Sequence, residues 1–320
     1  MSILLPSFDE IRFAAERINP HIHKTPVLNS HTLNRICDAD LYFKCENFQR
    51  MGAFKMRGAM NAVLQLSISE REKGVATHSS GNFAQALSLA AKNLNLKAYI
   101  VMPRNASEVK KRAVQGYGGE IIECEPTLAA REKSLNEVVA RTGARFIHPY
   151  NDIDVIVGNS TAAMELFIET ADLDYILAPV GGGGLLSGTA LCKKFFAPDV
   201  KVIGAEPKGA DDASRSFHDG VIYPSVDPQT VCDGLLTQLS ERTFDIIRKN
   251  VDDIIPASEE SIISAMRMIW ERMKVVVEPA AAVPLAIVFE NRRKFINKKL
   301  AIILTGGNVD LTKLPWNKIQ

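Results

Sequence analysis

The sequence has no surplus of either charge: 38 Lys plus Arg stand against 37 Asp plus Glu in 320 residues, a formal net charge of +1. Nucleic-acid binders need a basic excess to meet phosphate, and membrane-surface proteins need a basic amphipathic face, so neither is expected as a whole-protein property. Cysteine is sparse and unpatterned: Cys37, Cys45, Cys124, Cys192 and Cys232 never form a C-x-x-C arrangement. That excludes a disulfide framework and a zinc knuckle, and a reducing cytoplasm is expected. The N-terminal Met1-Ser-Ile-Leu-Leu-Pro6 lacks the cationic and long apolar regions of a targeting segment. Long hydrophobic runs are missing too. The longest uncharged stretch, 175–192, is broken by Pro179 and by Gly181, Gly182, Gly183 and Gly184, so it reads as strand, turn and helix start and not as a membrane span. No repeat, low-complexity tract or Pro/Ser linker marks a domain border. The length nevertheless points to two lobes, because single cores seldom keep growing beyond ~250–300 residues.

What is present is alternation. Short β-branched or apolar runs at 40–46, 74–78, 97–102, 120–123, 145–148, 175–178, 201–206, 253–256 and 300–304 read as strands, most of them separated by helical periodicity. Ser7-Phe-Asp-Glu10 forms a capping box ahead of Ile11, Ala14, Ala15 and Ile18, and Ser258 caps a stretch carrying Ile262, Ile263, Met266, Ile269 and Trp270 at helical spacing. This pattern predicts an α/β fold of two open, mostly parallel lobes. The β-α-β-α set at 74–151 is expected to be the smaller lobe, inserted into a larger one made of 1–73 and 152–320. In open parallel sheets ligands bind outside the carboxyl ends of the strands, so the loops leaving those ends are the candidate site.

Four such loops stand out. Thr77-His-Ser-Ser-Gly-Asn82 places small residues where a helix begins, leaving backbone N–H groups free at a positive helix end, which suits a carboxylate or phosphate. Val180-Gly-Gly-Gly-Gly-Leu185 is a phosphate nest of unobstructed N–H donors, but no Lys-Ser/Thr follows, so it is not a nucleotide P-loop. Leu304-Thr-Gly-Gly-Asn308 repeats the theme after the last strand. Gly52-Ala-Phe-Lys55-Met-Arg-Gly-Ala59 sets a lysine where a loop becomes a helix; the positive helix end and burial both favour its free amine. An amine nucleophile beside a phosphate nest suggests a phosphate-bearing aldehyde held as a Schiff base.

These motifs, in this order, resemble the serine racemase and serine/threonine dehydratase family, whose members use pyridoxal phosphate on a fold (type II) related to the tryptophan synthase β-subunit. The likeness runs from His23-Lys-Thr-Pro26 to Leu311. It implies that the cofactor lies in the cleft between the lobes, attached to Lys55, with Phe54 beside its ring, Asn82 at the ring hydroxyl, Gly181 to Gly184 at the phosphate, Gly234 against the ring and Thr305 at the pyridine nitrogen. Ser79, Ser80 and Gly81 would receive the substrate carboxylate. Lys55 and Ser80 would be the catalytic pair, Ser80 matching the second acid/base of the racemases. The implied activity is ammonia loss from a 3-hydroxy amino acid such as L-serine, L-threonine or threo-3-hydroxyaspartate, with serine racemisation as an added or, in the alternative, main activity. The resemblance also implies a homodimer.

Glu206-Pro-Lys-Gly-Ala210-Asp-Asp212 clusters hard oxygen ligands. By the same resemblance the carboxylates of Glu206 and Asp212 and the carbonyl of Ala210 would hold Mg²⁺, or Ca²⁺ or Mn²⁺ in its place. Three departures from the family pattern concern substrate choice: Ala53 for a frequent serine, Phe83 for the usual histidine, and Gly158-Asn-Ser-Thr161 for Gly-Gln-Gly-Thr. Tyr150-Asn-Asp152 would lie near the substrate side chain.

Two rival readings remain. Strand, Gly181–Gly184, helix, strand and then Glu206 imitate a nicotinamide-binding unit, but Ser187 occupies the third glycine's place. A cofactor-binding homologue without turnover is the other, against which Lys55, Ser80 and Thr305 are all intact. A hydrolase lacks support, since neither G-x-S-x-G nor H-E-x-x-H occurs.

Overall fold

The computed structural model describes residues 5–318. Among the described residues ten strands form two sheets: β1 (Val27–Asn29), β2 (Asp40–Cys45), β3 (Val75–His78), β4 (Ala98–Pro103), β5 (Gly119–Cys124), β6 (Arg145–Phe146), β7 (Tyr175–Pro179), β8 (Lys201–Pro207), β9 (Asp253–Ala257) and β10 (Lys299–Leu304). The larger sheet has the order β1-β2-β10-β7-β8-β9, and the smaller β5-β4-β3-β6. Every pairing is parallel except β1 with β2, which meet antiparallel in the register Val27 to Lys44. All nine runs expected to be strands are strands, with ends shifted by one or two residues. The short edge strand β1 was not expected; three residues are too few to show a period of two.

Parallel strands with helices on both faces lose contact with water on both sides, so they read as unbroken apolar runs. β10 shows this in Leu300-Ala-Ile-Ile-Leu304, all fully buried. The helix Pro279–Glu290 covers it, buried nearly all round and opened by Pro279. Both expected N-caps form. Ser7 accepts from Glu10 N while Glu10 reaches back to Ser7 N, and Ser258 accepts from Ser261 N, each such cap contributing about 1 kcal/mol.

The four strands of the smaller sheet all fall within residues 75–146, between β2 and β7 of the other. Its core is not closed by that stretch alone. Met56, Ala59, Met60 and Val63, from the helix Lys55–Leu64, pack with Val75, Phe83, Ala84, Leu87 and Ile100. The helix that starts at Lys55 therefore lies against the smaller sheet's layer on one side. On another it meets the helix Ile153–Glu169, where Gly58 and Gly158 allow the two backbones to touch: a Cβ on Gly158 would come within 2.6 Å of Arg57 O. Among the described residues no helix is long and apolar enough to cross a membrane.

Candidate active site

Five strands end around one cavity of about 200 Å³. β2 leads through Cys45 to the Phe54-Lys55 turn, β3 to His78–Phe83, β6 to Pro149 and Tyr150, β7 to Gly181–Gly184 and β10 to Thr305. Phe54, Lys55, Ser79, Ser80, Gly81, Asn82, the four glycines, Gly234 and Thr305 all line it, so every cofactor and substrate residue expected from the sequence faces the same space. Two loops are stitched together to make this possible: Phe54 N donates to Thr305 O at 3.0 Å, and Gly307 N to Gly52 O at 2.9 Å.

Lys55 opens its helix without a side-chain cap. Its Nζ donates to Pro149 O at 3.3 Å and lies 4.9 Å from the Phe54 ring and 5.9 Å from the Phe83 ring. Burial pushes the amine down to about 8, with the Glu278 carboxylate pulling the other way. Phe83 is buried in the core beneath the cavity while also lining it, which joins the packing reading of this departure to a place on the pocket wall.

The glycine loop is shaped by its neighbours. Gly183 has φ +85°, a left-handed backbone, and a Cβ on Gly182 would collide with the Tyr150 ring at 2.4 Å. The helix Gly184–Phe196 follows with no side-chain cap, so its first-turn N–H groups face the cavity end unpaired by any side chain. The Tyr150 ring that covers this loop is set by His148, whose Nδ1 accepts from Tyr150 N at 3.3 Å and Asn151 N at 3.0 Å. Burial, with smaller contributions from His78, Lys55 and Arg242, pushes His148 down to about 4, which keeps that nitrogen an acceptor. Of the Tyr150-Asn-Asp152 segment, only Tyr150 lines the cavity. Asn151 Oδ1 accepts from Ser240 Oγ, and Asp152 caps the helix Ile153–Glu169.

Sequence reading missed Glu278. It is buried, and both its oxygens accept from Asn82 Nδ2, at 2.9 and 3.1 Å, while Asn82 Oδ1 accepts from Asn308 Nδ2 at 2.9 Å. Burial raises its carboxyl to about 7. A signal was there, because a single acid between Val275-Val-Val277 and Pro279-Ala-Ala-Ala-Val283 can hardly be solvated.

The residues present fit a phosphorylated aromatic aldehyde. Thr305 Oγ1 is buried without a hydrogen-bond partner, a vacancy suited to a ring nitrogen. Gly81 has nothing within 4 Å of where a Cβ would stand, and Gly234 only Ala280 Cβ at 3.7 Å, so both leave the cavity floor open.

The expected cation ligands lie apart from this cavity, Glu206 at the end of β8 and Ala210 and Asp212 just after it. Glu206 and Asp212 are buried; Glu206 accepts from Ala213 N at 2.9 Å and Ser214 N at 2.7 Å, and Asp212 Oδ2 has no partner. Burial drives the Glu206 carboxyl up to about 9, against those two N–H bonds and with help from Asp212 and Asp211. An unpartnered buried carboxylate beside a second one fits a hard cation. Among the described residues, however, no cluster of three His, Cys, Asp or Glu side chains forms a metal cage, so any ion here would need Ala210 carbonyl and water oxygens to complete its shell.

The comparisons agree with this geometry. The model for "Pyridoxal-phosphate dependent enzyme" matches residues 18–306. The chain is 49% identical over 313 residues to beta-hydroxyaspartate dehydratase of Paracoccus denitrificans, covering 98% of this chain and 99% of that one. It is 46% identical to L-threo-3-hydroxyaspartate ammonia-lyase of Saccharomyces cerevisiae, covering 97% and 96%. The crystal structure of serine racemase from Dictyostelium discoideum superposes with a TM-score of 0.91 at 46% identity, over 95% of this chain and 98% of that one. The nicotinamide reading falls with these matches. A lysine amine, an N–H cradle and an orphaned hydroxyl around one cavity, together with these likenesses, place the chain in the pyridoxal-phosphate dependent enzyme family.

Proposed function

We propose that the chain removes ammonia from a 3-hydroxy amino acid, yielding the oxo acid, and that it also racemises serine. The observation that carries this reading is Lys55 Nζ, a buried amine lowered to about 8, lining one cavity with the glycine loop and with Ser80. When bound, pyridoxal phosphate supplies an electron sink beside the substrate's α-carbon. Gly181–Gly184 would hold its phosphate through backbone N–H groups, and Asn82, fixed by Glu278 and Asn308, would meet its ring oxygen. Phe54 and Gly234 would bracket the ring. Ser79, Ser80 and Gly81 precede an uncapped helix start and would take the substrate carboxylate. Lys55 Nζ would take the α-proton, and Ser80 Oγ would exchange one in racemisation, so elimination and racemisation share a first step. Thr305 offers a neutral hydroxyl, which would leave a ring nitrogen unprotonated where a carboxylate would hold a proton on it, and the weaker electron sink would favour loss of a β-hydroxyl. Phe83 and Tyr150 line the cavity and would exclude water from it.

The test is incubation of the loaded enzyme with serine, threonine and threo-3-hydroxyaspartate in both configurations, following ammonia, oxo acid and enantiomer composition together. Oxo acid in excess over inverted amino acid is the expected result. Inversion without ammonia would make serine racemase the main activity, and neither product would overturn the reading.

Residues 74–151 are proposed as the lobe that closes on substrate, against a cofactor lobe of 1–73 and 152–320. The homodimer is carried forward from the family resemblance, and a cytoplasmic setting from five cysteines that are all free and buried. Glu206, Asp212 and Ala210 are proposed to bind Mg²⁺, or Ca²⁺ or Mn²⁺, chiefly for stability. A divalent cation at 100 times its Kd is expected to add about 2.7 kcal/mol. Chelation should therefore lower the melting temperature and add-back restore it, whereas Glu206→Gln should respond to neither; a wild-type melt indifferent to both treatments would exclude the site.

A further inference from the structure

Lys55 and the glycine loop belong to different strand ends, yet both are met by one turn, His148-Pro-Tyr-Asn151, which follows β6. Pro149 supplies the carbonyl to which Lys55 Nζ donates at 3.3 Å. Tyr150 covers the glycine loop: a Cβ on Gly182 would meet its ring at 2.4 Å, and one on Gly184 its Cα at 3.0 Å. Asn151 ties the turn to the helix Glu241–Asn250, its Oδ1 accepting from Ser240 Oγ at 2.8 Å and its carbonyl from Arg242. Pro149 and Tyr150 line the cavity, and Asn151 fixes where the turn ends.

The turn holds no glycine, and among the described residues no backbone-to-backbone hydrogen bond closes it. The closing bonds come from His148, whose Nδ1 accepts from Tyr150 N at 3.3 Å and Asn151 N at 3.0 Å. Nδ1 lies as many bonds from Cα as an asparagine Oδ1, so the imidazole reproduces the side-chain acceptor of an Asx turn. The ring must be neutral to accept, and burial keeps it so. Other rings hold its plane: Tyr150 at 4.5 Å, Phe146 at 5.7 Å and His78 at 6.0 Å between centroids.

We propose that His148 is a positioning residue for cofactor attachment. By closing this turn it sets both the Pro149 carbonyl that aims the Lys55 amine and the Tyr150 ring that shapes the glycine loop. It thereby fixes the spacing between the amine and the N–H cradle. A cofactor that carries its aldehyde and its phosphate on one rigid ring demands that spacing, because both ends must be met at once. The chemistry of attachment is ordinary: a carbon–nitrogen bond forms from the free amine, and the aldehyde oxygen leaves as water. The inference rests on the cofactor reading of the cavity and uses no property of the substrate.

The experiment compares full-length wild type, His148→Phe and His148→Asn, each stripped of cofactor and reloaded. Phenylalanine keeps the ring packing and loses the acceptor, whereas asparagine keeps the acceptor and loses the ring. Stability and function should therefore rank in opposite order, which a purely structural role would not produce. His148→Phe should melt nearer wild type. It should nevertheless take up pyridoxal phosphate about 10-fold more slowly, and bind inorganic phosphate, read by competition with uptake, about 10-fold more weakly, the effect of one net hydrogen bond. His148→Asn should melt lower and yet stay within about 3-fold of wild type in both, since its acceptor remains. An uptake rate in His148→Asn equal to or below that of His148→Phe overturns the proposal, as does His148→Phe with the uptake and phosphate affinity of wild type. If wild type releases ammonia from no hydroxy amino acid the proposed activity fails, and uptake and phosphate competition still decide His148.

Discussion

Lys55→Ala is expected to lower ammonia release from every hydroxy amino acid by at least about 10³-fold, because one group is asked both to hold the cofactor and to move the α-proton. Borohydride should no longer fix cofactor absorbance to the chain. The surroundings explain why this lysine has that reach. Among the described residues no carboxylate lies within ion-pair distance of Nζ; its contacts are Pro149 O and two aromatic faces. Burial therefore wins over the Glu278 charge and brings the amine to about 8, so that a substantial fraction is unprotonated and nucleophilic near neutral pH. Cofactor uptake by the stripped protein should accordingly speed up as pH rises through about 8, while Glu278→Gln, which removes the charge that favours the ammonium, should move that rise to lower pH. Lys55→Ala that retains both cofactor and full ammonia release would place the proton transfer on another residue.

The cavity was legible because its parts are backbone-driven. Glycine runs and small polar residues after apolar strands carry their meaning locally, and parallel strand order gathers their loops at one edge. Glu278 and Pro149 were not legible, because each acquires its role only from a contact across the chain: Glu278 meets Asn82, 196 positions away, and Lys55 meets Pro149, 94 positions away. Asn159 shows another limit. From sequence the departure Gly158-Asn-Ser-Thr161 bears on substrate choice, yet it lies within a buried helix against Gly58 and Arg57, and among the described residues both amide atoms of Asn159 are buried without partners. The edge strand β1 was lost for want of length.

Arg57→Ala is expected to cost about 3–5 kcal/mol, the penalty for stranding buried carboxylates, and to lower the melting temperature by about 10 °C. Arg57 is two residues from Lys55 on the same helix and fully buried. Its Nε and Nη2 hold Glu46 at 2.7 and 2.8 Å, and its Nη1 and Nη2 hold Glu165 at 2.7 and 2.8 Å. Lys44 adds a third bond to Glu165 at 2.7 Å, and Thr25 one to Glu46 at 2.6 Å. Desolvation alone would raise the Glu165 carboxyl, but Arg57 and then Lys44 outweigh it and hold it below its ordinary value of 4.5. A carboxyl so depressed contributes stability that is present above 4.5 and lost as pH falls through its folded value. The deficit of Arg57→Ala should therefore be full at pH 7 and shrink in acid as the stranded carboxylates take up protons. Arg57→Met with Glu46→Gln should recover part of the loss, since a neutral amide at position 46 no longer demands a counter-charge while Glu165 keeps its pair with Lys44. The network also seats the N-terminal turn that presents Lys55, so Arg57→Ala should weaken cofactor retention more than a destabilising change at the opposite ends of the strands, such as Phe295→Ala, whose ring packs on Tyr175 at the start of β7. Equal cofactor loss in the two variants would reduce Arg57 to a purely structural anchor, and a melting temperature within about 2 °C of wild type would show that the buried ions are not coupled as their geometry requires.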